Sequence, residues 1–257
     1  MSPRLSAASE PPPDWLAVVL GCGLPPEGGT ANIGGGRFVM RGGILRQEAL
    51  ASAAQAQTAS TFGHKWQRRE TYDSGVMQAA LGAWLRERYG DPDAMPFLAG
   101  GSPPPVMLDA GCGSGMSALE LFGPRLARTR YLGADISSAV DVARTRFAER
   151  GVPGRFLQCD LMHVPLPEAS VDIVFSEGVL HHTDSTEAAI GSLARLIKPG
   201  GRFLFYWYAP KNAHRQSIEE VRAWCAEAGL VIERERVEDA GITIDARKAG
   251  DARKVGR

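Results

Sequence analysis

Three glycines spaced two residues apart form the pattern in this sequence that points most directly to chemistry. Gly111, Gly113 and Gly115 follow an apolar segment that ends in the acid Asp109. Because glycine has no Cβ, a turn built from it lets the backbone come within contact distance of a bound ligand. Turns that bind dinucleotides place glycine at the first, third and sixth positions, whereas Met116 takes the sixth position here. The pattern therefore predicts a ligand-binding turn and disfavours a dinucleotide.

Two more acids follow the next apolar segments, where a nucleoside ligand would need them. Asp135 can accept hydrogen bonds from both hydroxyls of a ribose. Asp160 suits the exocyclic amine of an adenine, and the backbone amide of Leu161 could donate to a ring nitrogen. Ile136, next to the ribose acid, and Ser176, at the end of a later apolar segment, complete the predicted ligand-binding residues.

His181 and His182 are the candidate acid–base residues of the sequence. A neutral imidazole has an unperturbed pKa of about 6.5, so it can accept a proton at neutral pH. The two adjacent side chains should point in different directions, so at most one is expected to act, and His181 is the favoured one. The alternatives are that both histidines cap a helix or pack beneath their loop, or that the reaction depends on proximity alone and needs no base.

Short apolar strands that alternate with helical patterns must position these residues. From residue 106 onward this rhythm predicts βαβ units and an α/β fold with a mainly parallel sheet. The sequence from Ser217 to Glu220 has the form of a capping box, which predicts that a helix begins there. The predicted strands cover residues 106–109, 131–135, 155–158, 171–176, 202–208, 230–236 and 241–247.

Several of these segments resemble a known family. Asp109 followed by Gly-x-Gly-x-Gly resembles motif I of the class I S-adenosylmethionine (SAM) methyltransferases. Residues 171–182 resemble the fourth strand of that family with its following turn, and residues 196–205 resemble the entry to its fifth strand. Five such segments occur in the right order between about residues 106 and 208. They are most similar to the small-molecule methyltransferases of ubiquinone and menaquinone biosynthesis.

The resemblance implies a doubly wound, Rossmann-like sheet of seven strands in the order 3-2-1-4-5-7-6, with the seventh strand antiparallel. It implies SAM as the cofactor, lying across the carboxyl ends of the first three strands. The implied function is transfer of a methyl group to a small-molecule acceptor, on an O, N or C atom that the sequence leaves open. Two alternatives remain: a SAM-binding partner subunit without catalysis, and a nicotinamide-dependent oxidoreductase, against which Met116 and residues 198–201 argue.

The chain before residue 106 is predicted to form an extension and a lid. The beginning of the chain resembles a degenerate form of the zinc-ribbon-like segment that precedes some bacterial methyltransferase domains, but it lacks the necessary cysteine pairs. We therefore predict no metal, and we expect residues 1 to about 43 to be dispensable for SAM binding. The predicted divisions are an N-terminal extension at 1–45, a helical lid and linker at 46–105, the SAM-binding domain at 106–248 and a basic tail at 249–257.

Aromatic residues of the predicted lid are candidates for contact with the ligand. Trp66 or Tyr72 is expected to close over the cofactor or the acceptor. A following helix, stopped by Gly90, is predicted from an apolar stripe that consists of Val76, Ala80, Leu81 and Trp84. Few residues lie at 209–216, so the acceptor site is expected to draw mainly on residues 46–90.

Composition and charge limit the possible partners. The chain has 29 basic and 29 acidic residues, a net charge of zero, which disfavours attraction to nucleic acid or an anionic membrane. Its apolar runs are too short to span a bilayer, and its N-terminus lacks an apolar signal core. The four cysteines form no CxxC pair, which is typical of thiols in a reducing cytoplasm. A cytoplasmic protein is therefore predicted. The sequence does not determine its oligomeric state.

The residues after the predicted fourth strand disfavour one class of methyl acceptor. Methyltransferases that act on amino groups of nucleobases or glutamine often carry Asn/Asp-Pro-Pro-aromatic after the fourth strand. This chain has Ser176-Glu-Gly-Val there. Base methylation is therefore disfavoured.

Overall fold

The computed structural model describes residues 14–49, 52–67, 73–99, 101–208, 217–239 and 241–250. The helices are α1 (Trp15–Leu20), α2 (Ala53–Gln67), α3 (Gly75–Tyr89), α4 (Met116–Phe122), α5 (Ala139–Glu149), α6 (Thr186–Ala194) and α7 (Ile218–Glu227). The strands are β1 (Thr30–Ile33), β2 (Gly36–Arg41), β3 (Ile44–Gln47), β4 (Val106–Ala110), β5 (Arg130–Asp135), β6 (Arg155–Gln158), β7 (Val171–Glu177), β8 (Ile197–Tyr208), β9 (Leu230–Glu238) and β10 (Gly241–Lys248).

All ten strands of the described residues join one sheet, in the order β1-β2-β3-β6-β5-β4-β7-β8-β10-β9. The strands from β3 to β8 in this order are parallel. The pairs at the two ends are antiparallel. The prediction of an α/β fold with a mostly parallel sheet is confirmed, but the predicted strand number of seven is wrong. The last seven strands along the chain account for the predicted segments, and β1 to β3 extend the sheet beyond them.

The three additional strands are joined by turns that contain two glycines each. Gly34 and Gly35 connect β1 to β2, and Gly42 and Gly43 connect β2 to β3. All four have positive φ values, between 57° and 80°. Positive φ at both central residues is required by the tight hairpin turn whose twist matches that of paired strands. The backbone amides of the second pair also donate hydrogen bonds to the Glu27 carboxylate, at 2.6 and 3.1 Å.

Helices cover both faces of the sheet, which makes the fold doubly wound. One hydrophobic cluster joins side chains of α1, α6 and α7 to one face of the strands. The other cluster joins side chains of α3, α4 and α5 to the opposite face. The capping box predicted at Ser217 and Glu220 is present at the start of α7. In the part of the chain that the structure describes, no helix has the length and apolar character needed to cross a bilayer.

Helix α3 is present where it was predicted, but it buries a different face. Val76 is 81% exposed and Trp84 is 37% exposed, although both belong to the stripe that was expected to face inward. Leu85 and Tyr89 are buried instead, and so is Arg88. The Arg88 guanidinium carbon lies 3.9 Å from the ring centroids of Trp84 and Tyr206. This stacking lets a charged side chain occupy the inner face, which a pattern of apolar residues does not predict.

Candidate functional site

A cavity of about 760 Å³, partly open to solvent, lies at the carboxyl ends of strands β4 to β7. Its walls come from the turns that follow these strands and from side chains of α2. This edge of the sheet is the one where open α/β sheets bind ligands. The cavity is therefore the candidate functional site.

The glycine turn after β4 is shaped for close approach. Gly111, Gly113 and Gly115 have φ values of 81°, 50° and 74°, a backbone conformation that residues other than glycine rarely adopt. The amides of Gly111 and Cys112 donate to the carbonyl of Ala134 at 2.7 and 3.0 Å, which ties the turn to β5. The first two glycines line the cavity. Gly115 begins α4 behind the wall, where a Cβ would lie 2.8 Å from the Phe147 ring.

Asp135 lies at the base of the cavity with its carboxylate already partly engaged. One oxygen, Oδ2, accepts a hydrogen bond from the Gly113 amide at 2.9 Å. The other accepts from the amide and hydroxyl of Ser137 at 2.8 and 2.7 Å. Burial raises the pKa of Asp135, and these hydrogen bonds oppose that rise. A carboxylate offers about four acceptor positions, so one position on Oδ2 is left for a ligand.

The turn after β6 brings Asp160 and Leu161 to the cavity wall. The turn after β5 brings Asp135 and Ile136 to the same wall. Asp160 begins a short 3₁₀ turn, with its Oδ1 accepting from the Met162 amide at 3.0 Å. The Asp160 amide donates to Oε1 of Gln47 at 3.0 Å. Because Gln47 ends β3, the N-terminal strands support this part of the site.

Asp109 and Ser176, both predicted to bind the ligand, lie behind the residues that line the cavity. Asp109 accepts a hydrogen bond from the Tyr131 hydroxyl at 2.6 Å. Its burial raises the pKa of the carboxyl to about 7, against the lowering effect of that bond. The hydroxyl of Ser176 donates to the Ala110 carbonyl at 2.8 Å, between neighbouring strands. In this structure both side chains hold the wall together from within the protein.

Helix α2 covers the cavity. Residues spaced along one of its faces reach the cavity: Gln55, Thr58, Phe62 and Trp66. Gly63 on this helix packs closely on the start of α5, since a Cβ there would lie 3.0 Å from the Ser138 hydroxyl. A Cβ on Gly113 would lie 3.0 Å from the Trp66 indole nitrogen, so this ring lies over the glycine turn. The other aromatic residue predicted for the lid, Tyr72, lies outside the described residues.

The rings of His181 and His182 lie side by side, with centroids 4.1 Å apart, so the expectation that they point in different directions is wrong. The structure places His182 rather than His181 at the cavity. The His182 ring lies 5.0 Å from that of Phe62, between ring centroids. The His181 ring turns toward Tyr208, and its Nδ1 accepts from the Tyr208 amide at 3.4 Å. Burial lowers the pKa of both rings, that of His181 to about 4. Both histidines are therefore neutral and weakly basic at pH 7.

Sequence reasoning missed Glu177, which ends β7 and lines the cavity. Its Oε2 accepts a hydrogen bond from the Tyr89 hydroxyl. Its Oε1 is buried without a hydrogen-bond partner among the described residues. Burial raises the pKa of Glu177 to about 7, although Tyr89 and Arg88 act to lower it. The available signal was an acid at the end of a strand, like those at Asp109 and Asp135.

Three side chains that line the cavity each have a buried polar atom without a hydrogen-bond partner among the described residues. Gln55 Nε2, Ser114 Oγ and Glu177 Oε1 are buried and find no hydrogen-bond partner within the described ranges. Buried polar atoms without a partner are uncommon in folded proteins, because each costs about 1–3 kcal/mol. Three residues of one cavity wall therefore carry polar atoms that the described residues leave without a partner.

Part of the chain is similar in sequence to known methyltransferases. Residues 108–205 match the family described as a methyltransferase domain. An uncharacterized methyltransferase of Mycobacterium tuberculosis is 35% identical over 122 residues, which are 47% of this chain and 58% of that protein. Malonyl-[acyl-carrier protein] O-methyltransferase of Serratia marcescens is 38% identical over 100 residues, 38% of this chain and 36% of that protein. The probable tRNA methyltransferase 9B of Homo sapiens is 29% identical, over 55% of this chain and 29% of that protein.

Solved structures show the same fold. Magnesium protoporphyrin IX methyltransferase from Synechocystis, with bound SAM, has a TM-score of 0.57 at 22% identity, over 78% of this chain and 100% of that chain. Geranyl diphosphate C-methyltransferase from Streptomyces coelicolor, with S-adenosyl-L-homocysteine (SAH), has a TM-score of 0.58 at 16% identity, with coverages of 78% and 100%. The [4+2]-cyclase SpnF has a TM-score of 0.58 at 18% identity, with coverages of 79% and 98%.

The fold is that of an α/β protein of the Rossmann-like class, with its cavity at the carboxyl ends of parallel strands, where such sheets bind ligands. Residues 108–205 match the methyltransferase domain family, and the solved structures that share the fold include SAM-dependent methyltransferases. The cofactor of this family is SAM. The chain spans little more than half the length of the first curated relative that it matches, 58%.

Proposed function

We propose that this protein transfers the methyl group of SAM to a small-molecule acceptor. The observation that carries the proposal is the cavity under α2, where a glycine turn, a carboxylate with a free acceptor position and three unpartnered polar atoms meet. These features fit SAM, which carries a ribose, an adenine and a charged amino acid portion. When bound, SAM supplies a methyl group activated by a cationic sulfonium.

Each part of the cavity has a proposed task in holding the cofactor. Gly113 leaves room for it beside the backbone, Gly111 lets the turn pack against Val179, and Asp135 accepts from the ribose. Asp160 and the amide of Leu161 recognise the adenine, and the side chain of Ile136 packs beside it. Gly115, Asp109 and Ser176 act one layer behind, by holding the turn and the strand ends in place.

The protein's contribution to the reaction is alignment and exclusion of water. Helix α2 covers the cavity with Phe62 and Trp66, so that the acceptor and the methyl group meet out of bulk solvent. Holding two reactants in line can supply an effective molarity on the order of 10⁵ M or more. This contribution is available whether the acceptor atom is O, N or C.

A small acceptor is favoured by the cover of the site. Helix α2 lies over the cavity, so the cofactor and the acceptor share the space beneath it. The zero net charge gives no general attraction to nucleic acid. The names of the similar proteins specify chemically different acceptors, among them a malonyl-acyl carrier protein, a tRNA and a porphyrin.

A second candidate function is favoured by one observation. The [4+2]-cyclase SpnF shares the fold, so this fold also occurs in a protein whose name specifies other chemistry. A SAM-binding protein without methyl transfer would bind SAH but would fail to form SAM from SAH and methyl iodide. The methyltransferase that we propose should do both. A nicotinamide oxidoreductase would instead show thermal stabilisation by NAD and none by SAH.

Asp135→Asn is expected to weaken SAH binding at least tenfold. The substitution removes a charge-assisted hydrogen bond to the ribose, worth roughly 1.5–3 kcal/mol, while keeping the size of the side chain. Isothermal titration calorimetry measures the affinity, and circular dichroism checks the fold. Asp239→Asn, at an exposed position between β9 and β10, is the matched control and should bind SAH normally. Equal affinities for the two variants would refute the ribose assignment.

SAH is expected to perturb the ring resonances of His182 more than those of His181. Only His182 lines the cavity, whereas the His181 ring contacts Tyr208. The titration of both rings can be followed in the same nuclear magnetic resonance experiment. His181 should protonate near pH 4, and His182 below the ordinary value of 6.5, because burial disfavours the charged imidazolium. Larger SAH-induced shifts at His181 would restore the original preference for that residue.

A further inference from the structure

Glu177 lies where the cavity wall meets α3. It ends β7, beside the turn that carries the two histidines, and it lines the cavity. The Tyr89 hydroxyl donates to Oε2 and fixes the orientation of the carboxyl group. Oε1 is buried and has no hydrogen-bond partner among the residues that the structure describes. One oxygen is therefore held by the protein, while the other has no partner among the described residues and belongs to a side chain that lines the cavity.

We propose that Glu177 receives a proton from the methyl acceptor, and that the acceptor is accordingly a compound with a hydroxyl or amine nucleophile. This inference rests on the proposed function and names the substrate class of the same site. The X–H bond of the acceptor breaks and its proton passes to the Glu177 carboxylate. The electron pair of X forms the new bond to the methyl carbon. The carbon–sulfur bond breaks with its electrons left on sulfur, so the sulfonium becomes a neutral thioether.

The groups around Glu177 allow its carboxylate to act as a base. Arg88 on α3 faces it, but the Arg88 guanidinium is stacked on Trp84 and Tyr206 and pairs with Glu238 at 2.8 Å. The Arg88 charge is therefore shared and does not fully neutralise Glu177. The buried carboxyl of Asp109 on β4 acts in the opposite direction, raising the pKa of Glu177.

Proton affinity separates Glu177 from the histidines. Burial raises the pKa of Glu177 to about 7, a value at which a base is matched to neutral pH. Burial lowers the pKa of His181 to about 4 and also lowers the pKa of His182. Of these three side chains, Glu177 at the end of β7 has the highest pKa and is the strongest base.

A purely structural role would make Glu177 only the partner of Tyr89. Oε2 alone satisfies that role, and a glutamine oxygen could accept the same hydrogen bond. The structural role gives no reason for burying a second, unpartnered carboxylate oxygen at a cavity, at a cost of about 1–3 kcal/mol. Glu177→Gln therefore separates the two roles, since it can keep the bond to Tyr89 and removes the base.

The first test measures the titration of Glu177 without any acceptor. Protein labelled with ¹³C at glutamate carboxyl groups is titrated in complex with SAH, and the Glu177 resonance is assigned by its loss in Glu177→Gln. The midpoint is expected near 7, and Tyr89→Phe should raise it further because the hydrogen bond from Tyr89 lowers the pKa. A midpoint near the ordinary value of 4.5 would overturn the proposal.

The second test compares the affinities of compounds that carry an O–H or N–H group with those of their methylated counterparts. Phenol is compared with anisole, and aniline with N,N-dimethylaniline, by calorimetry on the SAH complex at pH 8. At least one donor-bearing probe is expected to bind tenfold or more tightly than its methylated counterpart. Glu177→Gln should reduce that preference to threefold or less. Glu227→Gln, at an exposed position on α7, is the matched control and should keep it.

The outcomes separate this proposal from the proposed function. A wild-type protein that neither binds SAH nor forms SAM from SAH and methyl iodide would contradict the proposed function. Normal results in both assays, together with no preference in either probe pair, would overturn only the role of Glu177. The same conclusion would follow if Glu177→Gln kept the full preference. If Glu177→Gln does not fold, the Glu177 resonance is assigned by its loss in Glu177→Asp, and the Tyr89→Phe shift of the midpoint decides, since no upward shift also contradicts the proposal.

Discussion

Gly113→Val is expected to weaken SAH binding at least a hundredfold, below detection by calorimetry. Gly113 has a φ of 50°, and its amide donates to the carboxylate of Asp135 at 2.9 Å. A β-branched residue at positive φ is a genuine outlier, so the turn must shift and this hydrogen bond with it. A Cβ would also lie 3.0 Å from the Trp66 indole nitrogen, so the valine side chain must displace either this ring or the turn at the cavity wall.

The control for this variant is Gly151→Val. Gly151 has a φ of 65° and ends the turn after α5, and an added Cβ there meets no atom within 4 Å. It therefore carries the same backbone penalty without blocking the cavity. Both variants should lose stability in thermal unfolding, but only Gly113→Val should lose SAH binding. Normal binding by Gly113→Val, or equal losses in both variants, would mean that the glycine turn does not adjoin the cofactor.

The glycine turn and its neighbouring acids could be predicted because their signals are local. A short apolar run followed by an acid and a turn is visible in the sequence wherever a buried parallel strand ends. The carboxyl ends of adjacent parallel strands then meet at one edge of the sheet. This is why Asp135 and Asp160 were expected together, and the structure places both at the cavity.

The depth of a side chain in the wall could not be predicted in the same way. Asp109 and Ser176 were grouped with the ligand-binding residues because of their positions at strand ends. Whether such a side chain faces the cavity depends on the alternation along the strand and on nearby partners. The Tyr131 hydroxyl and the Ala110 carbonyl take these two groups away from the cavity.

The choice among possible acid–base residues depends on packing between distant segments. Glu177 is oriented by Tyr89, which is 88 residues away in sequence and lies on α3. The sequence did not predict that α3 turns this face inward, because Arg88 sits on it. His181 and His182 are chemically equivalent as neighbours in a sequence, and only the fold directs one to Phe62 and the other to Tyr208.

A short hairpin was expected within residues 21–43, but its place in the main sheet was missed because this pairing is not local. Strand β3 lies beside β6, where Leu45 pairs with Leu157 and Arg46 with Gln158. The glycine-rich turns at 34–35 and 42–43 predict a hairpin but give no indication of what its edge will join. The expectation that the first 43 residues are dispensable for SAM binding treated this hairpin as an appendage. The structure argues against that expectation.

Deleting residues 1–43 is therefore expected to destabilise the protein severely and to weaken SAH binding. The deletion removes β1 and β2, leaving β3 without a partner on one side. It also takes Ile33, Phe38 and Met40 out of the main hydrophobic cluster. Gln47, which accepts from the Asp160 amide at 3.0 Å, would then lie on a poorly supported edge strand. Chemical unfolding and calorimetry with SAH measure the two effects.

Two point substitutions test the same prediction with less disruption. Phe38 is 1% exposed, so Phe38→Ala should lower the free energy of unfolding by about 3–5 kcal/mol. Val18 on α1 is 58% exposed, and Val18→Ala should change the free energy of unfolding by no more than about 0.5 kcal/mol. If Phe38→Ala is as stable as Val18→Ala, and the deletion binds SAH normally, the three N-terminal strands do not support the site. A large loss confined to Phe38→Ala and the deletion would instead show that the sheet folds as one unit from β1 to β9.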